Sequence, residues 1–68
     1  MTLYEKALNT ELHSRFVARA DDLNRPLTDK ETRQEAQYLI ETIPYSGTYE
    51  GADLRRILKQ LKLLVKSK

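Results

Sequence analysis

One amphipathic segment near the C-terminus, residues 52–66, constrains the fold of this 68-residue chain more than any other feature. Its large apolar residues recur every three or four positions, which is the repeat of an α-helix with one buried side. They are Leu54, Ile57, Leu58, Leu61, Leu64 and Val65. A helix with so continuous an apolar stripe must bury it against other elements, so the sequence predicts a packed helical domain.

The same segment concentrates positive charge. Residues 52–68 contain six Lys or Arg against one Asp, a balance of +5, whereas residues 1–51 contain six against nine acidic residues, a balance of −3. At about 100° per residue, four of the cations share one flank of the helix and a fifth, Arg56, lies beyond them. The four are Arg55, Lys59, Lys62 and Lys66. Basic residues near a helix C-terminus also complement its dipole, so the charge has a purely structural interpretation as well.

Two further helices are predicted upstream. Thr2 and Glu5 have the spacing of a capping box, and the apolar residues that follow lie four apart. These are Tyr4, Leu8, Leu12 and Phe16. We expect a helix over residues 3–20 that frays at Asp21 and Asp22, because acidic residues oppose the dipole at a helix C-terminus.

Residues 28–31 form a second capping box that follows a proline, and a narrow apolar stripe continues to Ile43. Pro44 removes a backbone donor and clashes with the preceding turn, so the second helix is predicted over residues 29–43. The connection that follows, residues 44–51, holds both glycines of the chain together with Tyr45 and Tyr49. The final helix is predicted over residues 50–66.

Three amphipathic helices with short links bury their apolar stripes most simply as an all-α, small three-helix bundle that forms a single domain over residues 1–68. The alternative is an open helical arrangement that a second copy of the chain completes. A core of this size supplies only about 3–5 kcal/mol, so partner binding or self-association is a relevant source of stability.

The sequence argues against disulfides, metal sites, membrane spans and catalysis. The chain has no cysteine for a disulfide or a thiolate metal site, and no window approaches the roughly 20 apolar residues of a membrane span. The only histidine, His13, lies at the edge of the first apolar stripe without an orienting group beside it. The dipole at the start of the second helix accounts for the carboxylates Asp29, Glu31 and Glu35. We therefore expect a non-enzymatic protein with no cofactor, metal or small-molecule substrate.

The N-terminus lacks the continuous apolar segment of a signal peptide, because Glu5, Lys6 and Glu11 interrupt it. We expect a cytoplasmic protein. A basic amphipathic helix is also typical of peripheral membrane anchors, but this one lacks the Trp or Phe that such helices usually carry.

A protein partner is the preferred functional interpretation. Leu63 lies about 180° from Leu54 on the final helix, so a monomeric bundle exposes it. Tyr45 and Tyr49 are amphipathic aromatics of the kind that interfaces favour. The sequence predicts a regulatory or interaction module that contacts an acidic surface of another protein, or a second copy of itself. The predicted contact residues are Arg55, Arg56, Lys59, Lys62 and Lys66 by charge, and Tyr45, Tyr49 and Leu63 by apolar area.

Nucleic-acid binding through the basic face of the final helix is the alternative. Lys and Arg on a helix neutralise phosphates, and a helix fits the major groove. Against this interpretation, the eight-residue second connection is longer than a helix-turn-helix corner. Acidic residues such as Asp21, Asp22 and Glu35 would also repel a duplex elsewhere on the surface.

Overall fold

The computed structural model describes residues 2–66 and confirms a small all-α helical bundle, with no strand among those residues. Positions 1, 67 and 68 of the predicted domain lie outside the described residues. The elements in chain order are α1 (Leu3–Ala7), α2 (His13–Leu23), α3 (Asp29–Thr42), a 3₁₀ turn (Ile43–Tyr45) and α4 (Gly51–Lys66).

The prediction of one continuous helix over residues 3–20 is wrong, because residues 8–12 separate α1 from α2. Thr10 explains the break. Its hydroxyl donates to the Ala7 carbonyl oxygen at 2.8 Å and accepts from the Leu12 N–H at 3.3 Å, so the side chain takes over bonds that a helix would make between backbone groups. The break also changes the buried face of α1: Leu3 and Ala7 enter the core, while the predicted stripe residue Tyr4 is only half-buried.

The helix α2 continues to Leu23, so the predicted fraying at Asp21 and Asp22 is wrong. Asn24 closes it in the left-handed conformation, with φ +57°. The Asn24 N–H donates to the Asp21 carbonyl oxygen and the Arg25 N–H to the Ala20 carbonyl oxygen, both at 3.1 Å. This Schellman arrangement provides hydrogen-bond donors for the last carbonyl groups of α2. The bonds compensate for the unfavourable interaction of Asp21 and Asp22 with the helix dipole.

The predicted second helix is confirmed as α3, which ends at Thr42 instead of residue 43. Thr28 Oγ1 accepts from the Glu31 N–H at 3.2 Å, and the Glu31 carboxylate accepts from the Thr28 N–H at 3.0 Å, so both halves of the capping box are formed. Pro44 lies in the 3₁₀ turn that follows α3, where its missing N–H is tolerated. The last helix begins at Gly51, one residue after the predicted start.

The core lies chiefly between α3 and α4, the two longest helices and the pair in most extensive contact. From α4, Ile57, Leu61 and Leu64 are buried, and they pack in one cluster with the buried residues of the other helices. The remaining members of the predicted α4 stripe, Leu54, Leu58 and Val65, are half-buried. The buried apolar residues outside α4 are Leu3, Ala7, Leu12, Phe16, Ala20, Leu27, Ala36, Leu39 and Ile43.

A polar corner, formed by Arg25 and Glu31, joins the end of α2 to the start of α3. Arg25 donates to both carboxylate oxygens of Glu31, at 2.6 and 2.8 Å, while the same carboxylate caps α3. The Arg25 hydrogen bonds, and after them the bond from the Thr28 N–H, lower the pKa of Glu31 from its ordinary value of 4.5 to about 2. The Glu31 side chain therefore both caps the start of α3 and connects α3 to the end of α2.

This corner makes stability depend on pH. Because the pKa of Glu31 is lower in the folded protein, its ionised form stabilises the fold above pH 4.5, and this contribution is lost as the pH falls from there toward about 2. Glu31→Gln keeps a capping amide but removes the charge, so we expect a smaller fall in stability across that window. Urea unfolding midpoints measured by circular dichroism between these two pH values provide the measurement.

Glu35→Gln, one turn further along α3, is the matched control and should retain the pH dependence of the parent protein. Equal slopes for the parent and Glu31→Gln would show that the Arg25–Glu31 pair does not contribute to stability.

Candidate interaction surface

The outer side of α4 carries the predicted cations. We define the cationic face as the four basic residues together with the two leucines that border them; all six line one shallow groove of about 420 Å³ that is open to solvent. They are Arg55, Leu58, Lys59, Lys62, Leu63 and Lys66. The cations lie on the side of α4 opposite the buried residues Ile57, Leu61 and Leu64.

The helix sets the geometry of this face. The cations are separated by four, three and four residues, so they stay within about 60° of the helix circumference and span about 16 Å along the axis. Leu58 and Leu63 each lie about 40° beyond one edge of the cationic stripe, on opposite sides. Leu58 is half-buried, and Leu63 is 58% exposed, as its position opposite Leu54 predicts.

The four cations of this face are not neutralised within the described part of the chain. Arg25 pairs there with Glu31, and Arg56 with Glu11 and Asp53, but no ion pair among the described residues includes a cation of the face. The positive charge is therefore available to a partner. Because the side chains are solvated, their interaction with a partner weakens as salt increases.

Arg56, which the sequence groups with the predicted contact residues, has an intramolecular role. Its guanidinium forms an ion pair with Glu11 and a weaker one with Asp53 at 3.3 Å. Hydrogen bonds to the carboxylates of Glu11 and, to a smaller extent, Asp53 raise the pKa of Arg56 above its ordinary value. Since Glu11 lies in the connection between α1 and α2, this pair ties that connection to α4.

The two predicted loop tyrosines are in different environments. Tyr45 is 89% exposed in the 3₁₀ turn, whereas Tyr49 is half-buried and packs against the core. Gly47 between them has a φ of +74°, which favours glycine and turns the chain toward α4. Tyr45 is accessible for contact, and Tyr49 contributes to the core at this end of the bundle.

Tyr38 is an exposed aromatic residue that is not among the contact residues predicted from the sequence. It is 57% exposed on α3 and lines a second shallow groove with Arg19, Glu31, Gln34 and Glu35. Its position off the stripe formed by Ala36 and Leu39 is a signal that would have identified it as a surface residue.

The described residues contain neither a metal-binding cluster nor a membrane-spanning helix. Among residues 2–66, no group of three or more His, Asp or Glu side chains could hold a metal ion. His13 is exposed, with Nδ1 3.3 Å from the Thr10 carbonyl oxygen. Within the same range, every helix is too short or too polar to cross a membrane.

No protein-family model matches the sequence, and comparisons with curated proteins and with solved structures find no match. A functional interpretation therefore depends on the geometry and charge of the surfaces described above.

The Arg56 pair gives a testable coupling between α4 and the α1–α2 connection. Arg56→Gln and Glu11→Gln should each lower the thermal midpoint, and the double variant should lower it by less than the sum, because both single changes remove the same interaction. Arg55→Gln, the adjacent cation without an ion pair among the described residues, should leave the midpoint unchanged. Strict additivity of the two Gln substitutions would show that Arg56 and Glu11 are not coupled.

Proposed function

We propose that this protein is a small non-enzymatic interaction module whose cationic face docks onto an acidic surface of another protein. The observation that carries the proposal is the cationic face itself: four cations without ion pairs among residues 2–66, bordered on both sides by leucine. Charge of this kind steers an acidic partner toward the surface and fixes its register.

The leucines favour a protein partner over a nucleic acid. Nucleic-acid affinity comes largely from neutralising phosphates, to which an aliphatic side chain adds little. A protein interface instead combines a desolvated apolar part with a polar rim. Leu63, at 58% exposure beside the cations, supplies apolar area where a protein partner would cover it. The use of Arg56 inside the fold also leaves fewer cations for phosphates.

Charge also disfavours a symmetric dimer through this surface. In a twofold dimer the same patch contacts itself, so the four cations of one copy would face the four of the other. Juxtaposed like charges oppose such association. A different protein with an acidic surface is therefore the preferred partner, and self-association through the cationic face is not.

Fluorescence anisotropy with a labelled acidic peptide of Glu and Leu, beside single-stranded and duplex DNA and RNA, tests the proposal at about 50 mM salt, where electrostatic binding is strong. We expect the peptide to bind more tightly than any nucleic acid. Lys59→Glu and Lys62→Glu should each weaken peptide binding about fivefold, since an exposed ion pair is replaced by repulsion. Lys30→Glu, an exposed lysine of α3, is the control and should have a much smaller effect.

Leu63→Ser separates the two partner classes further, because it should weaken peptide binding and leave any residual DNA or RNA binding unchanged. Tighter binding of a nucleic acid than of the peptide, abolished by Lys59→Glu, would replace the proposal with nucleic-acid binding. A light-scattering mass above 8.0 kDa for the free protein, lowered by Leu63→Glu, would instead indicate self-association through this face.

A further inference from the structure

We infer that the segment docking on the cationic face is itself an α-helix, with carboxylates spaced four, three and four residues apart and apolar residues beside them. This inference rests on the proposed function and specifies the form of the partner. It follows from three properties of the face: the axial spacing of the cations, the ridges that they form, and the position of the bordering leucines.

The axial spacing matches a helix and not a strand. From Arg55 to Lys66 the cations span about 16 Å in three steps, an average of about 5.5 Å, which equals the pitch of an α-helix within about 0.1 Å. Residues on one side of a β-strand recur about every 6.7 Å, so after three steps an extended partner would be out of phase by about 3.6 Å. A helical partner can therefore present a carboxylate to every cation, and an extended one cannot.

The surface relief also fits a helix. Residues four apart form ridges on α4, one running through Arg55, Lys59 and Leu63 and the other through Leu58, Lys62 and Lys66. The groove between these ridges is lined by the same six residues. A row of side chains on a second helix packs into such a groove, and a shallow crossing of about 20° keeps the two helices in contact over several turns.

The leucines specify what surrounds the carboxylates on the partner. The four-three-four spacing places the cations at the a and d positions of a heptad, with Leu58 and Leu63 at the flanking g and e positions. This inverts the ordinary coiled-coil arrangement, in which the apolar residues form the seam and the charges flank it. The complementary helix carries Glu or Asp along its seam and apolar residues on both flanks.

The length of the face sets the length of the partner. A span of about 16 Å corresponds to about 12 residues, or three helical turns. An isolated peptide of that length is only marginally helical in water, so its helix content should rise when it binds. Induced helicity is therefore a readout that simple electrostatic attachment would not give.

Three labelled peptides with the same Glu, Leu and Ala content test the inference at low salt. The first has Glu at four-three-four spacing with flanking Leu, the second alternates Glu and Leu as in a strand, and the third distributes Glu around the whole helix. We expect the first to bind about tenfold more tightly than the others, because it alone aligns all its carboxylates with the cations, and to gain helical circular dichroism on binding.

Two variants of the protein complete the experiment. Leu63→Ala should reduce the advantage of the first peptide, whereas Tyr38→Ala should not, although the two parent side chains are almost equally exposed, at 58% and 57%. Equal affinity for all three peptides would overturn the helical inference and leave docking of an acidic partner intact. No binding of any peptide, or tighter binding to phosphatidylserine vesicles, would overturn the proposed function as well.

Discussion

Packing between α3 and α4 is the interaction on which the rest of the structure depends. Ile57, Leu61 and Leu64 of α4 are buried in one cluster with Ala36 and Leu39 of α3. Each large aliphatic side chain removed from water stabilises the fold by about 1.5–3 kcal/mol, a large share of what a core of this size supplies. The short helices α1 and α2 add Ala7, Leu12, Phe16 and Ala20 to the same cluster.

The cationic face is a consequence of this packing. Once α4 commits one side to the core, the 3.6-residue repeat directs Arg55, Lys59, Lys62 and Lys66 to the opposite side. Arg56 lies between the two faces and reaches Glu11, so the fold uses this cation to hold the α1–α2 connection. The helix that organises the interior thus also displays the surface proposed to bind a partner. The buried core residues of α4 and the residues of the cationic face are different side chains.

The fold class, the capping box of α3 and the two faces of α4 could be predicted from the sequence, since each depends on local periodicity or on residues three or four apart. The break between α1 and α2 could not, because it depends on the Thr10 hydroxyl replacing backbone hydrogen bonds that the apolar spacing of Leu8 and Leu12 favours. The ion pair of Arg56 with Glu11 joins residues 45 positions apart, and no local pattern contains it. The separate environments of Tyr45 and Tyr49 likewise depend on tertiary packing.

The most direct test of the two-faced α4 is the free energy of unfolding of Leu61→Ala compared with that of Leu63→Ala, measured by urea denaturation with far-ultraviolet circular dichroism. Leu61 is 1% exposed and Leu63 58%, although both substitutions remove the same atoms from the same helix. We expect Leu61→Ala to lose about 2–5 kcal/mol and its unfolding midpoint to shift to much lower urea. Leu63→Ala should remain within about 0.5 kcal/mol of the parent. Equal losses for the two variants would contradict the division of α4 into a buried face and an exposed face.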